Sequence, residues 1–306
     1  MVNLGLSFIT PAPQVAPDFF LQLAKQCEQL GLHSLWINDR LVFDNFEPLA
    51  ALAAAAGATR KIKLGTSVLL LPYRRPVLLA KTLATIDFIS QGRLTLGVGI
   101  GNRESDYDAV EVPFERRGAR GLECMQLMRR LWQEDTVSFR GKFFRAQDVS
   151  LGPKPHGGRS IPIWMGGSAE SVLKRVALHA DGYLCSTSAL ANFAMTWDKI
   201  VNYAKAGGRD PNGIEKAGLN FLAIDDDKGH AVHACETYFQ RCYGKAPSNI
   251  ESHMVVGPAD ACVEKIESIF KLGIRTLILG LIIPDLDQVD TLAKNILPRL
   301  TSRPTH

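Results

Sequence analysis

Strand-like apolar runs alternate with helical patterns along almost the whole of this 306-residue chain. Parallel strands joined by helical crossovers produce this alternation. Eight runs predict strands, at 4–8, 34–37, 62–70, 93–98, 161–165, 182–185, 218–224 and 275–282. Helical patterns lie near 18–30, 47–59, 76–89, 119–134, 169–179, 190–206, 229–242, 259–272 and 287–300. Eight such units in about 300 residues favour an α/β fold, a (β/α)₈ TIM barrel, over an open doubly wound sheet. No linker interrupts them, so we expect residues 1–306 to form one domain.

Two connections are longer than a barrel needs. The segment 101–160 contains a helical pattern and then "VSFRGKFFRAQDVSL", in which Arg140-Gly141 between two apolar runs predicts a hairpin. The polar segment 244–258, "GKAPSNIESHMVVGP", falls between the seventh and eighth strands. Long loops at barrel strand ends carry lids and binding surfaces. We therefore expect insertions after strands 4 and 7, and both should form walls of a pocket.

Charge and composition limit the partners of the chain. Its 35 basic and 31 acidic residues are spread without the basic blocks that track a phosphate backbone, so nucleic acid is not an expected partner. The start "MVNLGLSFITPAPQ" has no positive region and is interrupted by Pro11 and Pro13, which fits neither a signal peptide nor a membrane span. The six cysteines form no CxxC pair, which is typical of reduced thiols. These features predict a cytoplasmic protein without a membrane partner.

The predicted strand ends are polar, small and glycine-rich. A face that seats a flat cofactor needs small residues for close approach and a few hydrogen-bonding groups for orientation. Ordinary turns explain any one of these segments, but together they favour a binding site. The segments are Asn38-Asp39-Arg40, Thr66-Ser67-Val68, Gly99-Ile100-Gly101-Asn102, Gly166-Gly167-Ser168, Ser186-Thr187 and Asp225-Asp226-Asp227.

The stretch "IPIWMGGSAESVLKRVA" at 161–177 runs from a strand through two glycines into a helix. Ser168 is placed to cap that helix. Free backbone N–H groups and the positive end of the helix dipole would then converge on one point, which suits a phosphate group. A capped turn without a ligand is the alternative.

Three other kinds of site have weaker support. In "LTLGVGIGNRE" the position of the third dinucleotide-fingerprint glycine is Asn102, so the alternate glycines indicate room for a flat ligand rather than a Rossmann site. His230 and His233 could share a helical face, but Cys235 points elsewhere, and no metal site is predicted. No GxSxG motif for serine catalysis is present.

Five motifs in order carry a resemblance to a known family. They are "LGTSVLLLPYRRPVLLAKTLATIDFISQGRLTLGVGIGNRESDY", "PFERRGAR", "GPKP", "IPIWMGGSAES" and "ADGYL". In this order they resemble the luciferase-like monooxygenase superfamily, and most closely its F420-dependent oxidoreductases. The resemblance implies a TIM barrel that binds F420 or, alternatively, FMN at its C-terminal mouth, acts on a small molecule and forms a homodimer.

The resemblance also implies roles for particular residues. A non-prolyl cis peptide at the end of the third strand supports the ring in the F420-dependent branch, and its match here is Ser67-Val68. Ala189 replaces a phosphate-binding lysine of the sugar-phosphate dehydrogenases, which disfavours glucose 6-phosphate. The residues expected to bind the cofactor are Asp39, Thr66, Ser67, Val68, Gly99, Gly101, Met165, Gly166, Gly167, Ser168, Ser186 and Thr187.

The expected reaction is hydride transfer between F420 and a small organic substrate. Arg40 stands where those dehydrogenases have a catalytic histidine and would act as a fixed positive charge, while Asn102 replaces their glutamate and could orient the substrate. Glu104, Asp106 and Tyr107 are the nearest candidates for a proton donor. Two alternatives remain, namely an FMN-dependent monooxygenase that uses O₂ and a separate reductase, and a non-catalytic flavin-binding barrel.

Overall fold

The computed structural model describes residues 3–9 and 15–301 and contains a closed barrel of eight parallel strands. Each strand pairs with its neighbours in chain order, and pairing of the last with the first closes the ring. The barrel strands are β1 (Asn3–Phe8), β2 (Ser34–Ile37), β3 (Lys63–Leu70), β4 (Leu94–Gly99), β7 (Ile163–Gly166), β8 (Gly182–Cys185), β9 (Glu215–Ile224) and β11 (Thr276–Leu281). The predicted TIM barrel is confirmed.

Helices follow the barrel strands and pack against their outer face. Their sequences are apolar towards the barrel, as the crossover pattern requires. The helices are α1 (Phe19–Gln29), α2 (Pro48–Ala58), α3 (Pro76–Ser90), α4 (Glu104–Asp108), α5 (Arg117–Gln133), α6 (Glu170–His179), α7 (Phe193–Ala206), α8 (Lys228–Tyr243), α9 (Ile250–His253), α10 (Ala259–Phe270), α11 (Leu286–Thr291) and α12 (Leu297–Thr301). Within the described residues, no helix is both long and apolar enough to cross a membrane.

Both predicted insertions contain regular structure. After β4 come α4, α5 and an antiparallel hairpin of β5 (Val137–Arg140) and β6 (Arg145–Val149), as predicted around Arg140-Gly141. After β9 come α8, the short α9 and then β10 (Val255–Gly257), which pairs with the end of β9. The second insertion is therefore fixed to the sheet, although its polar sequence reads as a loop.

Two tryptophans fill the middle of the barrel. The rings of Trp36 and Trp164 lie 5.3 Å apart, and Trp36 Nε1 donates to Ser34 Oγ at 2.8 Å. A Cβ atom on Gly65 would come within 2.3 Å of Trp36, and one on Gly182 within 2.4 Å of Trp164. The glycines on neighbouring strands thus make room for the rings. Because this layer is packed, ligands can enter only from an end of the barrel.

The six cysteines are all buried and form no disulfide. Burial raises the pKa of the Cys27, Cys124 and Cys262 thiols to about 12 in each case. Nucleophilic cysteine chemistry requires a thiolate. These thiols therefore serve packing.

Candidate active site

A cavity of about 840 Å³ opens at the C-terminal ends of the barrel strands. Its floor comes from strand ends, one wall from α8, and its roof from the insertion that follows α8. A cavity of this size is typical of cofactor and small-molecule sites. The floor and side residues are Ser7, Ile9, Asn38, Ser67, Ser186, Thr187, Ser188, Leu219, Asn220, Phe221 and Gly280. The wall and roof residues are Tyr238, Phe239, Tyr243, Lys245, Ala246, Pro247, Ser248, Asn249, His253 and Met254.

The end of β3 bulges at the cavity floor. The peptide bond between Ser67 and Val68 is cis, as the resemblance implied, and the pairing of β3 with β4 shifts register between Thr66 and Leu69. Ser67 Oγ lies 2.7 Å from Ser7 Oγ and faces the cavity. Thr66 instead is fully buried, and its hydroxyl donates to the carbonyl of Gly97 at 2.7 Å. Thr66 therefore anchors the strand, and Ser67 is the residue that a ligand can reach.

The alternate glycines of β4 accommodate this bulge. A Cβ atom on Gly97 would lie 2.0 Å from the carbonyl oxygen of Thr66, and one on Gly99 would lie 2.6 Å from Cγ2 of Val68. The space at these positions is occupied by β3 and is not open to a ligand. The interpretation of these two glycines as direct room for a flat ring is therefore wrong.

Asp39 ties the end of β2 to the end of β3. Its carboxylate accepts hydrogen bonds from the backbone N–H of Leu70 at 3.0 Å and from Arg74 Nη2 at 2.8 Å. Arg74 also contacts Glu47 at 2.9 Å. Burial raises the pKa of Asp39, and the Arg74 charge opposes that change. Asp39 is 7% exposed and does not line the cavity, so this structure places it beneath the floor.

Arg40 connects the mouth of the barrel to the end of α8. Its guanidinium carbon lies 4.2 Å from the ring centre of Tyr243 and 5.1 Å from that of Phe43. Arg40 Nη1 donates to the carbonyl of Cys242 at 3.3 Å, and Arg103 donates to the same oxygen. Cations at a helix C-terminus are favoured by the exposed carbonyls and the helix dipole. Arg40 thus positions the aromatic wall rather than lining the cavity itself.

The loop after β4 lies apart from the described cavity. Asn102 and Glu104 are exposed and are not among its lining residues. Asp106 is buried and accepts a hydrogen bond from the Val42 N–H at 3.3 Å. Tyr107 donates to the carbonyl of Ile100, and burial raises the pKa of its hydroxyl to about 12. Asp106 and Tyr107 therefore support the loop, and the catalytic roles of Asn102 and Glu104 stay predictions.

The turn after β7 differs in one detail from the prediction. Helix α6 begins at Glu170, and Ala169 rather than Ser168 is the N-cap, because its carbonyl accepts from the N–H groups of Val172 and Leu173. The predicted cap by Ser168 is wrong. Ser168 is exposed, and the first N–H groups of a helix have no partners within it. The turn therefore keeps the donors that a phosphate group requires.

The predicted cofactor residues divide into two groups. Ser67, Ser186 and Thr187 line the cavity. The others surround or support it but do not line it, namely Asp39, Thr66, Val68, Gly99, Gly101, Met165, Gly166, Gly167 and Ser168. None of the residues 101–160 lines it either, so the expectation that the first insertion forms a wall of this cavity is wrong.

The sequence analysis did not predict the aromatic side chains that form one wall of the cavity. Phe221 and Phe239 have ring centres 4.8 Å apart, Phe239 lies 5.5 Å from Tyr238, and Tyr243 stacks on Phe239 at 5.5 Å. Three of these side chains come from the last two turns of α8, where "YFQRCY" gives an aromatic stripe at i, i+1 and i+5. Such a stripe also fits a core helix, and only the position of α8 at the mouth makes it a wall.

Metal ligands are not assembled in the part of the chain that the structure describes. No group of three or more His, Cys, Asp or Glu residues is close enough to hold an ion there. His230 and His233 are exposed and lie 3.9 Å from Asp227 and 3.7 Å from Glu236, respectively. The local partners of the two histidines are therefore the N-cap carboxylate of α8 and a carboxylate on the same helix.

The cavity fits a flavin or deazaflavin. Its floor is lined by hydroxyls whose pairing leaves further hydrogen-bonding capacity, since a Ser–Ser pair uses only one of two hydroxyl hydrogens. No Asp or Glu lines it among residues 3–9 and 15–301. The start of α6, which has no side-chain cap, lies beside the Gly166–Ser168 turn at the neighbouring strand end. A small polar floor, an apolar wall and an uncapped helix N-terminus together fit a planar ring with a phosphate-bearing tail.

Comparison with known proteins agrees with this geometry. Residues 6–249 match the family model described as luciferase-like monooxygenase. The chain is similar to an F420-dependent glucose-6-phosphate dehydrogenase of Amycolatopsis mediterranei (strain U-32), with 29% identity over 214 residues, 67% of this chain and 63% of the relative. It thus spans less than two thirds of that relative. It is also 25% identical to a 5,10-methylenetetrahydromethanopterin reductase of Methanopyrus kandleri, over 97% of this chain and 98% of the relative.

A solved structure shares the fold along almost the full length. The oxygenating constituent of 3,6-diketocamphane monooxygenase from Pseudomonas putida, in complex with FMN, matches with a TM-score of 0.79 and 19% identity, and the match covers 98% of each chain. These matches fit a site for a flavin or deazaflavin cofactor and a small-molecule substrate. The chain belongs to the luciferase-like monooxygenase family and is an oxidoreductase.

Proposed function

We propose that this enzyme transfers hydride between the deazaflavin F420 and a small organic substrate. The observation that carries the proposal is the cavity of about 840 Å³, which combines a hydroxyl-lined floor at the β3 bulge with an aromatic wall. The names of the two curated relatives above support F420 over FMN, since one is F420-dependent and neither is named for FMN. The whole chain, residues 1–306, would act as one domain.

Residues of the floor and of the α6 turn would hold the cofactor. Ser67, Ser186 and Thr187 would contact the ring, and Gly166 to Ser168 would bind its phosphate at the start of α6. F420 supplies a hydride donor or acceptor at a ring carbon when it is bound. The protein then contributes orientation, exclusion of water and fixed charge. Asp39 would act indirectly by holding the β3 bulge through the N–H of Leu70.

The aromatic wall and the roof would hold the substrate. Phe221, Phe239 and Tyr243 offer apolar faces opposite the polar floor. Arg40 would keep this wall in place through Cys242 and Tyr243 and would add a positive charge near the mouth. Asn102 and Glu104 would take part only if the loop after β4 folds over the bound cofactor. We also propose that the protein forms a homodimer and that a separate enzyme regenerates the reduced cofactor.

Cofactor titration of the apoprotein tests the proposal. We expect F420 to bind at least ten times more tightly than FMN. Quenching of cofactor fluorescence and calorimetry measure the two affinities. Ser67→Ala should weaken F420 binding about 2- to 10-fold, because one hydrogen-bonding group on the floor is lost. Ser268→Ala, on the outer face of α10, is the matched control and should leave binding unchanged. Tighter binding of FMN would contradict the cofactor assignment.

The second candidate is an FMN-dependent monooxygenase supplied by a reductase. The full-length match to the FMN-bound Pseudomonas putida structure favours it. Oxygen consumption in the presence of chemically reduced FMN separates the two candidates. Under the first proposal, consumption should not exceed the rate of free reduced FMN.

A further inference from the structure

The mouth cavity contains few groups that can move a proton. Among the described lining residues there is no carboxylate, and the titratable ones are Tyr238, Tyr243, Lys245 and His253. Tyr238 is buried, and burial raises the pKa of its hydroxyl far above the physiological range. Tyr243 is covered by the Arg40 guanidinium at 4.2 Å. Histidine is the side-chain type that ordinarily changes charge between pH 5 and 8, which singles out His253.

His253 is held on the barrel rather than on a free loop. It is the last residue of α9, its N–H donates to the Asn249 carbonyl at 3.1 Å, and its carbonyl accepts from Asn220 Nδ2 at 2.9 Å. Two residues later the chain pairs with the end of β9 as β10, from Val255. The half-buried imidazole therefore has a fixed position at the cavity wall beside Asn220.

Hydrogen bonding defines which ring nitrogen carries the proton. His253 Nδ1 lies 3.0 Å from the carbonyl oxygen of Asn249 and 2.9 Å from Ser252 Oγ. A carbonyl oxygen can only accept, so Nδ1 is the protonated nitrogen in the neutral ring. Nε2 then carries the lone pair. This is the arrangement of a general base whose orientation is fixed by its second nitrogen.

We propose that His253 is the acid–base group of the reaction, and that the substrates are alcohols or carbonyl compounds with an apolar or aromatic body. The proposal rests on the proposed F420 function. In the oxidising direction, the substrate O–H bond breaks and its proton goes to His253 Nε2. The C–H bond breaks, the hydrogen leaves with both electrons as hydride to the oxidised deazaflavin, and the electron pair of the former O–H bond forms the C=O bond. In the reducing direction, hydride from the reduced deazaflavin would go to the carbonyl carbon, and the imidazolium returns the proton to the carbonyl oxygen.

The surroundings of His253 favour this substrate class. The aromatic wall of Phe221, Phe239 and Tyr243 suits an apolar body, and the absence of carboxylates among the described lining residues gives a cationic body no counter-charge. The hydroxyl of Ser188, 3.3 Å from that of Ser186, offers a second contact for a substrate oxygen. Nothing else in the described lining combines a free acceptor nitrogen with a fixed position.

Charged groups lie on the elements that neighbour His253. Lys245 lines the same cavity, and Lys265 of α10 donates to the carbonyl of Ser252. On α9 itself, Glu251 forms an ion pair with Lys228 of α8 at 2.7 Å. Lysine and glutamate side chains ordinarily change charge outside the range between pH 5 and 8, whereas histidine ordinarily changes charge within it.

The variant His253→Asn tests the assignment, because an Asn amide can replace the Nδ1–H bond to Asn249 but cannot titrate. With F420 and a panel of 1-phenylethanol, cyclohexanol and acetophenone, we expect kcat to fall about 10²- to 10³-fold with KM changed less than 3-fold. The acidic limb of the wild-type pH profile for alcohol oxidation should disappear. F420 affinity and melting temperature should remain at wild-type values. His230→Asn, on the exposed start of α8, is the matched control and should behave as wild type.

A second readout does not depend on turnover. In ¹⁵N-histidine-labelled apoprotein, the His253 Nε2 resonance, assigned by its loss in His253→Asn, should shift when 1-phenylethanol is added. An unshifted resonance overturns the proposal, as does wild-type kcat and pH profile in the variant, or F420 binding without turnover of any panel member. Failure of the wild type to bind F420 instead removes the proposed function. If His253→Asn unfolds, His253→Gln serves in its place.

Discussion

The two ends of the barrel are both rich in polar side chains, yet they use them differently. At the N-terminal end, a cavity of about 520 Å³ is lined by charged residues and histidines, including His33, Lys63, Asp87, Arg93, His156, Arg159, Asp181 and Glu215. At the C-terminal mouth the lining is mainly hydroxyl, amide and aromatic. Polarity alone would therefore mark the wrong end. What separates the two ends is whether the polar atoms are already bonded within the protein.

Arg93 shows how the N-terminal end uses its charges. It is 7% exposed, and its guanidinium donates to the carbonyls of Ala56, Thr59, Ile62 and Ser90 and to the Thr59 hydroxyl, at 2.7 to 3.1 Å. Asp181 similarly accepts from the Ile163 N–H at 2.8 Å and from Arg129 at 2.6 Å. These groups join helix ends to strand starts. They stabilise the fold and leave little capacity for a ligand.

Removing Arg93 should give the largest effect on stability. Arg93→Met keeps the apolar stem but leaves several buried carbonyls without a donor, so we expect a loss of about 3–5 kcal/mol in the free energy of unfolding. Urea denaturation measures it. Arg159→Met, at an exposed position in the same cavity, should change stability by less than about 0.5 kcal/mol. F420 affinity of the folded Arg93→Met protein should match wild type, and a large loss of affinity would contradict the division between the two ends.

A change beneath the mouth should affect stability and binding together. Gly97→Ala places a methyl group 2.0 Å from the Thr66 carbonyl, so β3 must move, at a cost of about 1–3 kcal/mol. Because Ser67 follows Thr66, F420 affinity should fall at least tenfold. Melting curves and cofactor titration measure the two effects. Gly57→Ala, at an open position on α2, should instead raise stability by about 0.5–1 kcal/mol and leave affinity unchanged.

The smallest effect concerns a carboxylate at the N-terminal end. Glu28 accepts from the backbone N–H groups of Arg60 at 2.8 Å and of Ile62 at 3.0 Å. Partial burial alone would raise the pKa of Glu28, but these hydrogen bonds lower it below its ordinary value. A lowered pKa in the folded state means that the charged form contributes stability above the unfolded-state pKa, and that this is lost as pH falls through the folded-state pKa.

Glu28→Gln should therefore cost about 1 kcal/mol at pH 7, since one hydrogen-bond acceptor loses its charge. The difference from wild type should close as the pH falls through the lowered folded-state pKa, where the wild-type carboxylate becomes protonated. Denaturation at several pH values measures this gap. Glu264→Gln, exposed on α10, is the control and should change stability by less than about 0.5 kcal/mol. A gap that persists at low pH would show that charge at Glu28 is not the cause.

The fold was predictable because its signal is repeated along the chain. Apolar runs alternate with helical patterns from β1 to α12, so an error in one boundary does not change the topology. The short helix α4 and the strand β10 were not predicted, since five- and three-residue elements carry too little periodicity. The prediction that Ser168 caps α6 was wrong because a helix start is also a short signal. The helix begins one residue later, since the carbonyl of Ala169 accepts the first helical hydrogen bonds.

The site was predictable in position but not in composition. Ser67, Ser186 and Thr187 follow directly from strand ends, which must converge at one end of a parallel barrel. Tyr243 and His253 do not, because they reach the cavity only through the path of α8, α9 and β10. Arg40 has a strand-end position too, but its stacking on Tyr243 could not be read from sequence spacing.

The sequence by itself determined the barrel, the end at which the candidate site lies, and the family, because periodicity and motif order are local properties that survive without coordinates. Only the tertiary structure decided which polar groups remain free for a ligand. Asp39 and Ser67 are both polar strand-end residues, yet Asp39 is used by Leu70 and Arg74, whereas Ser67 faces the cavity. The reason is physical: hydrogen bonds between residues distant in sequence depend on how strands and helices pack, and that packing fixes which donors and acceptors are already satisfied.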